Sequence, residues 1–342
     1  MSTLTVQESA ITDRTDLQIV QCLQISPRVA FRRVGEVLGV SEQTVARRYR
    51  RLRTQGAMRV VGLVNPDRLG ETSWQVRIQC RPDATAAIGS ALARRDDVSW
   101  VALASGGSEI VAVLRSRSQQ QRDELLLQQL PRTAQVLSIS AFATLHIFRG
   151  ASSDDWRIDA TLLTARQRTA IGATRRVPRV EPEPLRADDE PMIEVLARDG
   201  RATVAQLADA TGWTEAKAGR RLDVLESSGT VFLDVDLAAD LFGYPISAYL
   251  WLTVPPAAID SVGRRLAKHP QVAFAAAVTG PASLVATVLC RDADDLYRYL
   301  SGDIGKIEGI GHVEVSPTVR RIKQAGSLLD GQRLSPPAPA RR

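Results

Sequence analysis

Residues 40–56 read VSEQTVARRYRRLRTQG, and residues 213–229, 173 positions downstream, read WTEAKAGRRLDVLESSG. Both carry a hydroxyl residue (Ser41, Thr214), then an acid (Glu42, Glu215), an arginine pair (Arg47 and Arg48; Arg220 and Arg221) and a closing glycine (Gly56, Gly229). A Ser or Thr side chain caps a helix start, and glycine takes the left-handed turn that ends one. Between those signals Val45, Tyr49 and Leu52, and in the second copy Ala218, Leu222 and Leu225, recur at i, i+4 and i+7, which is one buried stripe of a helix.

The likeness extends outward at the same offset to Asp16/Asp189, Leu23/Leu196, Arg28/Arg201, Gly39/Gly212, Asp67/Asp240 and Gly70/Gly243. A period of 173 residues is too long for a solenoid repeat, so it predicts a tandem duplication of a whole domain pair. Upstream of the quoted stretch the pattern predicts a helix over residues 16–24, capped by Asp16 and stopped by Pro27, and a second over 31–38 ending at Gly39. Three short helices, with a glycine turn before a capped and arginine-rich third, form a helix-turn-helix whose last helix enters the major groove. Residues 57–63 follow as a short strand, or wing.

On that third helix Gln43, Thr44 and Arg47 face outward near the N-terminal half, where base edges are reached. Ser41, Arg48 and Arg51 complete the expected DNA-contacting set in the first copy, and Lys217, Arg220 and Arg221 form it in the second. Arg50, Arg51 and Arg53 suit either phosphate contact or a solvated face that complements the helix C-terminus. Five arginines face one acid over residues 41–53, whereas Lys217, Arg220 and Arg221 are cancelled by Glu215, Asp223 and Glu226. Phosphate neutralisation supplies most nonspecific affinity, so the second helix is expected to bind DNA more weakly or to serve in dimerisation.

After Gly70 the period changes from helical to alternating. Strands over 73–80, 98–104, 109–115 and 136–148 with helices over 84–95 and 119–130 give the order βαββαβ, the ferredoxin-like order. The second copy repeats it over 247–322, one residue further out of register. The expected class is therefore α+β: two winged helix-turn-helix domains, each followed by a ferredoxin-like βαββαβ sheet domain. The expected boundaries are 16–64 and 72–150, a linker over 151–188, then 189–237 and 245–323, and a disordered tail over 331–342. A small sheet with helices on one side leaves its other face bare and buries it against a second sheet, within the chain or across chains.

The chain has 342 residues, a formal charge of +6 and 44% hydrophobic content, which suits several separate cores and a polyanionic partner. Residues 1–15 show no basic start followed by an apolar core, and no apolar run is long enough to span a bilayer, so a cytoplasmic protein without membrane association is expected. Cys22, Cys80 and Cys290 sit in apolar patterns without metal-ligand spacing and read as buried thiols. His146, His269 and His312 occupy non-equivalent repeat positions, and no phosphate loop or nucleophile motif accompanies them. No cofactor, metal or enzymatic activity is expected.

The order of a helix-turn-helix and then a βαββαβ sheet resembles the Lrp/AsnC family of bacterial transcription regulators, duplicated in tandem. The resemblance rests on residues 40–56, the wing up to Gly70 and the hairpin SGGSEI at 105–110, each with a counterpart in the second half. It implies double-stranded DNA as partner, homodimers or higher homo-oligomers formed through the sheet domains, and a sheet domain that senses an amino acid. Family members commonly carry Gly-x-x-Asp in that hairpin. By the resemblance, Ser105, Gly106 and Glu109, with Thr279 and Gly280, would hold the effector, Glu109 taking its ammonium group; Ser283 replaces the acid in the second half. Siroheme decarboxylases resemble the same architecture, which makes a decarboxylase of that kind the alternative.

In the linker, residues 162–171 suit a short helix, and 175–186, with Arg175, Arg176, Pro178, Arg179, Pro182, Pro184 and Arg186, a semi-extended connector. Trp156 is expected to pack on the first sheet domain, and the tail LSPPAPARR to add weak phosphate attraction.

Overall fold

The computed structural model describes residues 11–115, 119–150, 156–159, 161–173 and 181–335. Arg175, Arg176, Pro178, Arg179 and the two terminal arginines lie outside the described residues. The first half runs α1 (Arg14–Ile25), α2 (Phe31–Leu38), α3 (Glu42–Thr54), β1 (Met58–Val64), β2 (Ser73–Cys80), α4 (Thr85–Ala93), β3 (Val98–Ala104), β4 (Glu109–Arg115), α5 (Gln119–Asp123) and β5 (Val136–Arg149). A connector helix α6 (Ala165–Gly172) follows. The second half repeats the order with α7 (Glu190–Arg198), α8 (Val204–Thr211), α9 (Glu215–Ser227), β6 (Val231–Leu237), β7 (Ile246–Thr253), α10 (Ile259–Leu266), β8 (Val272–Val278), β9 (Leu284–Cys290), α11 (Ala293–Arg298) and β10 (His312–Gln324). A hairpin, β11 (Ser327–Asp330) and β12 (Arg333–Leu334), closes the described chain.

The helix signals translate directly. Ser41 accepts from the Thr44 amide and Thr214 from the Lys217 amide, and Gly39 and Gly212 take left-handed φ of 72° and 68° at the turn before each third helix. The cap of α1 differs from expectation: it is Asp13, whose carboxylate accepts from the Thr15 and Asp16 amides. Asp16 lies one turn inside, only 1% exposed, because its carboxylate is engaged by α3.

The two halves meet around an approximate twofold. β1 and β6 pair antiparallel in a ribbon in which Val61 faces Asp234, its own repeat counterpart, so the expected wings are one shared element. Arg28 donates to the carbonyls of Gly200 and Ala202, and Arg201 donates to those of Pro27 and Val29, the same exchange read in both directions. Arg201 also lies 4.4 Å over the Phe31 ring. Hydrogen bonds from a charged donor are each worth ~1.5–3 kcal/mol net. Arg201→Ala is therefore expected to cost about 2–3 kcal/mol in urea unfolding and Arg28→Ala less, since the former also loses a cation–π contact.

The sheets do not stack face to face as expected. Their edges join, in the order β10-β3-β4-β2-β5-β8-β9-β7, and β7 returns to β10, giving a closed ring of eight antiparallel strands. Closure follows from two long strands, each shared by both halves. β5 pairs with β2 through residues up to Ala143 and with β8 from Thr144, while β10 pairs with β7 up to Pro317 and with β3 from Thr318. A ring leaves no open edge among its members. One side of each strand packs under helices, as Val76, Ile78 and Ile110 do in the first half and Leu250, Leu252 and Leu284 in the second. The other side fills the barrel with Ala102, Val111, Trp251, Ala276 and Val285.

The connector is a strap, anchored by a ladder of glutamines on α1. Gln18, Gln21 and Gln24 donate to the carbonyls of Leu162, Asp159 and Trp156, each step of three residues on the helix matching three on the strap. Trp156 accordingly sits in the core of the first helical module, edge-on to Tyr244 at 4.8 Å, and not on the first sheet domain. The tail is also ordered further than expected. Leu334 is 3% exposed and its amide donates to the Gly56 carbonyl, which docks β12 at the end of α3.

Candidate nucleic-acid interface and barrel sites

The five arginines of α3 divide by what they touch. Arg48 donates to Asp13 and Asp16, each at 2.9 Å, Arg51 donates to Asp16, and Arg53 pairs with Asp199 at 2.9 Å. Arg47 is exposed and pairs with nothing among the described residues, and Arg50 reaches only the Ala46 carbonyl of its own helix. Ser41 and Gln43 are exposed and Thr44 half-buried on the same N-terminal half, whereas Val45, Tyr49 and Leu52 are buried beneath. Arg48 thus serves first to hold α3 against α1.

The second copy makes this plainer and corrects one expectation. Arg221, only 8% exposed, donates to both oxygens of Asp189, to Glu183 and to the Pro184 carbonyl, which spends four of its contacts inside the module. Arg221 is a scaffold residue and does not face solvent. Burial opposes the Asp189 charge, but the Arg221 hydrogen bonds outweigh it and hold the carboxyl below its ordinary range. Arg220 and Lys217 remain exposed, Lys217 with its ammonium 4.0 Å over the Trp213 ring.

The hairpin between β3 and β4 places Ser105, Gly106 and Glu109 together, but around a partner already present. Glu109 is fully buried and receives Arg77 Nε at 2.5 Å, and its other oxygen accepts from Ser105 Oγ at 2.7 Å. Arg77 crosses the barrel from β2 to reach the Glu314 carboxylate at 2.5 and 3.0 Å, and lies 4.7 Å over the Trp251 ring. An effector ammonium would have to displace that guanidinium, so the expected role of Glu109 does not fit the geometry. Burial disfavours the Arg77 charge, yet the two carboxylates reverse the balance and raise its pKa. Trp251 is the repeat counterpart of Arg77; the twofold brings the two together, and a cation over an indole is complementary where two arginines would repel.

Thr279 and Gly280 do a different job. Thr279 Oγ1 accepts from the Ala143 amide at 2.9 Å and its own amide returns to the Ala143 carbonyl, which sews the hairpin to β5. A Cβ on Gly280 would stand 2.4 Å from the Phe142 ring, so the glycine, at φ 103°, is required by packing. The counterpart of Ala143 is Pro317, which has no amide hydrogen, and this leaves the Ser105 hydroxyl for Glu109.

A third site had no sequence signal. A cavity of about 150 Å³ lies between the β1–β6 ribbon and the barrel, with Gln24, Arg115, Arg321, Trp100, Phe274 and Asp236 among its walls. Asp236 is 2% exposed; burial foremost, with Asp234 nearby, pushes its carboxyl up to about 7. The three cysteines are buried and unbridged, and burial lifts the Cys22 and Cys290 thiols to about 12. His146 stacks edge-on to Phe148 and His269 bonds the Tyr299 hydroxyl, so the imidazoles serve separate neighbourhoods. Among the described residues no cluster suits a metal ion, and no helix is long and apolar enough to cross a membrane.

Residues 13–53 match the AsnC-type helix-turn-helix domain, and residues 247–328 match the Lrp/AsnC ligand binding domain. The HTH-type transcriptional regulator FL11 of Pyrococcus furiosus is 27% identical over 36% of this chain and 81% of its own length. The HTH-type transcriptional regulator LrpA of Pyrococcus horikoshii is 24% identical over 40% of this chain and 96% of its own. Across both halves the fold is similar to that of the siroheme decarboxylase NirDL, with a TM-score of 0.61, 13% identity and 94% of each chain covered. The first helical module and the second sheet module thus each match a domain of the Lrp/AsnC type, and the curated relatives are HTH-type transcriptional regulators.

Proposed function

We propose that this chain is a sequence-specific regulator built as a dimer within one polypeptide, by tandem duplication of the helix-turn-helix and ferredoxin-like sheet pair. Its α3 reads bases and its α9 mainly touches backbone. The observation that carries this is the charge at equivalent exposed positions: Arg47 and Arg50 stand exposed without an acid partner on α3, while α9 keeps Arg220 in the place of Arg47 but carries the exposed acid Asp223 in the place of Arg50. Ser41, Gln43, Thr44 and Arg47 are the base- and phosphate-reading set, Arg50 and Arg51 add phosphate contact, and Lys217 and Arg220 give the weaker second grip. Such a molecule would act in the cytoplasm and favour a non-palindromic operator, because half-sites mirror the symmetry of the helices that read them.

The test is fluorescence anisotropy with DNA from around the protein's own gene, across a salt series. Arg47→Ala is expected to cost about 1–3 kcal/mol on the specific site and to relax base preference. Arg50→Ala is expected to weaken all sequences alike and lower the salt slope by about 1, and Arg220→Ala to do less than Arg47→Ala. Equal losses at Arg47 and Arg220 would contradict the division between the two helices.

The fold similarity to NirDL supports a second reading, a tetrapyrrole enzyme. It is the weaker one, since the matched domains and the curated relatives are those of transcription regulators. An absorbance titration with iron-porphyrin that showed a saturable Soret shift would revive it.

A further inference from the structure

Two cross-strand pairs near the ends of the β1–β6 ribbon are related by the twofold, and they differ. Leu63 faces Phe232 at one end, whereas Arg59 faces Asp236 at the other. Opposite charges in such a register are placed to attract one another. Arg59 is nevertheless turned elsewhere: buried at 7% exposed, it donates to the Ser327 hydroxyl and the Ser335 carbonyl of the C-terminal hairpin. Asp236 receives Gln324 on Oδ1, and its Oδ2 is buried without a hydrogen-bond partner. The hairpin in turn reaches the foot of α3. The Leu334 amide donates to the Gly56 carbonyl at 2.8 Å, and Leu329 and Leu334 pack into the core of the first helical module. It leaves β10 through Ala325 and Gly326, at φ of 45° and 92°. Ala325 carries a Cβ in that left-handed region, so the docked hairpin holds a strained hinge that opening relieves.

We propose that the C-terminal hairpin is a latch on the foot of α3, held shut while Asp236 is neutral and released when its carboxylate draws Arg59 across the ribbon. A neutral carboxyl leaves the Arg59 donors on the hairpin. An ionised one, enclosed with an unpartnered oxygen, is costly unless a cation pairs with it, and Arg59 stands directly opposite on the neighbouring strand. Turning there strips the hairpin of two anchors, those on Ser335 and Ser327. Of the other groups that face Asp236, Asp234 on its own strand repels it, Gln324 and Ser327 are neutral, and Arg321 of β10 donates to Gln324 at 2.6 Å. Arg115 of β4 and Tyr249 of β7 line the same cavity. Arg59 is the cation among them that also holds the hairpin. Burial pushes the Asp236 carboxyl up to about 7, so a shut latch, which binds this proton more tightly than an open one, is favoured below that value and loses the advantage as pH rises through it. What the latch means for DNA rests on α3 being the base-reading helix; the latch itself does not.

Hydrogen–deuterium exchange on the full chain without DNA reads the latch apart from operator binding. The signal is the protection of residues 327–335, corrected for the intrinsic pH dependence of exchange; the Leu334 and Ser335 amides, bonded to the Gly56 and Leu328 carbonyls, are its core. That protection is expected to fall ~10-fold from pH 6 to pH 8, while β3 and β4 of the barrel hold theirs. In Asp236→Asn the hairpin is expected to stay protected at both values, and Asp236→Leu, which copies Leu63, gives the same reading if the amide disturbs folding. Arg59→Gln is expected to leave the hairpin poorly protected even at pH 6. Wild-type protection that is equal at the two values would overturn the proposal, as would a pH-dependent loss that survives in both Asp236 variants. Hairpin protection in Arg59→Gln that matches the wild type at pH 6 would overturn it as well.

Discussion

Arg77→Met is expected to lower the unfolding free energy by about 3–5 kcal/mol, the usual cost of removing one partner of a buried ion pair. The carboxylate left behind, Glu109, is fully enclosed and would keep only the Ser105 hydroxyl as donor. Glu314, half exposed, can return to water, so the loss concentrates on Glu109. The decisive companion is the double variant Arg77→Met with Glu109→Gln. If the cost is an orphaned charge, removing that charge should restore most of the stability; if Arg77 acted chiefly by filling space over Trp251, the methionine would already suffice and the single variant would be nearly neutral. Urea unfolding followed by tryptophan fluorescence separates these outcomes.

Asp236→Asn is expected to act in the opposite direction, and only at high pH. A carboxyl whose folded pKa is raised binds its proton more tightly in the native state than in the unfolded one. Wild-type stability from this group is therefore complete below about 4 and is lost as pH rises through about 7. The shift from 3.8 to about 7, at ~1.4 kcal/mol per unit, sets an upper bound of about 4 kcal/mol at pH 8. The groups facing Asp236 are Asp234 on its own strand, Arg59 opposite it on β1, and Gln324 and Ser327 from the C-terminal segment. Arg59 gives limited relief because its guanidinium is directed to the Ser335 carbonyl and the Ser327 hydroxyl. Asparagine carries no charge to bury, so the variant should match the wild type near pH 5 and exceed it at pH 8. Melting curves at both values check this; a variant less stable at pH 8 would show that the carboxylate is favourably held.

The helical modules were legible because their signals are local: Ser41, Thr214, Gly39 and Gly212 act through their immediate neighbours, and α2 begins and ends where expected. Asp16 was misread as a cap although the repeat held the correct clue. Asp16 recurs with Arg48 as Asp189 recurs with Arg221, a coupled pair at constant offset, which is what an ion pair between first and third helices requires. Arg28 and Arg201 carried a similar clue and proved to be the reciprocal clasp. Barrel closure was not legible, since it depends on where β5 and β10 change partner, and the alternation of buried residues is the same whichever neighbour is chosen. The cavity is least legible of all: its walls come from α1, β2, β3, β4, β6 and β10 among others, and no spacing along the chain brings Gln24, Asp236 and Arg321 into view together.

Two strands that each belong to both halves make the union inseparable without breaking the barrel itself. A pair of separate subunits must come apart on dilution and can exchange with foreign relatives, so both copies of its reading surface stay identical by necessity. Here neither constraint operates: dissociation has no meaning for linked halves, and each copy is inherited with its mate. Divergence between the copies then carries no penalty of mispairing, and one gene can hold two unlike helical modules in a fixed ratio.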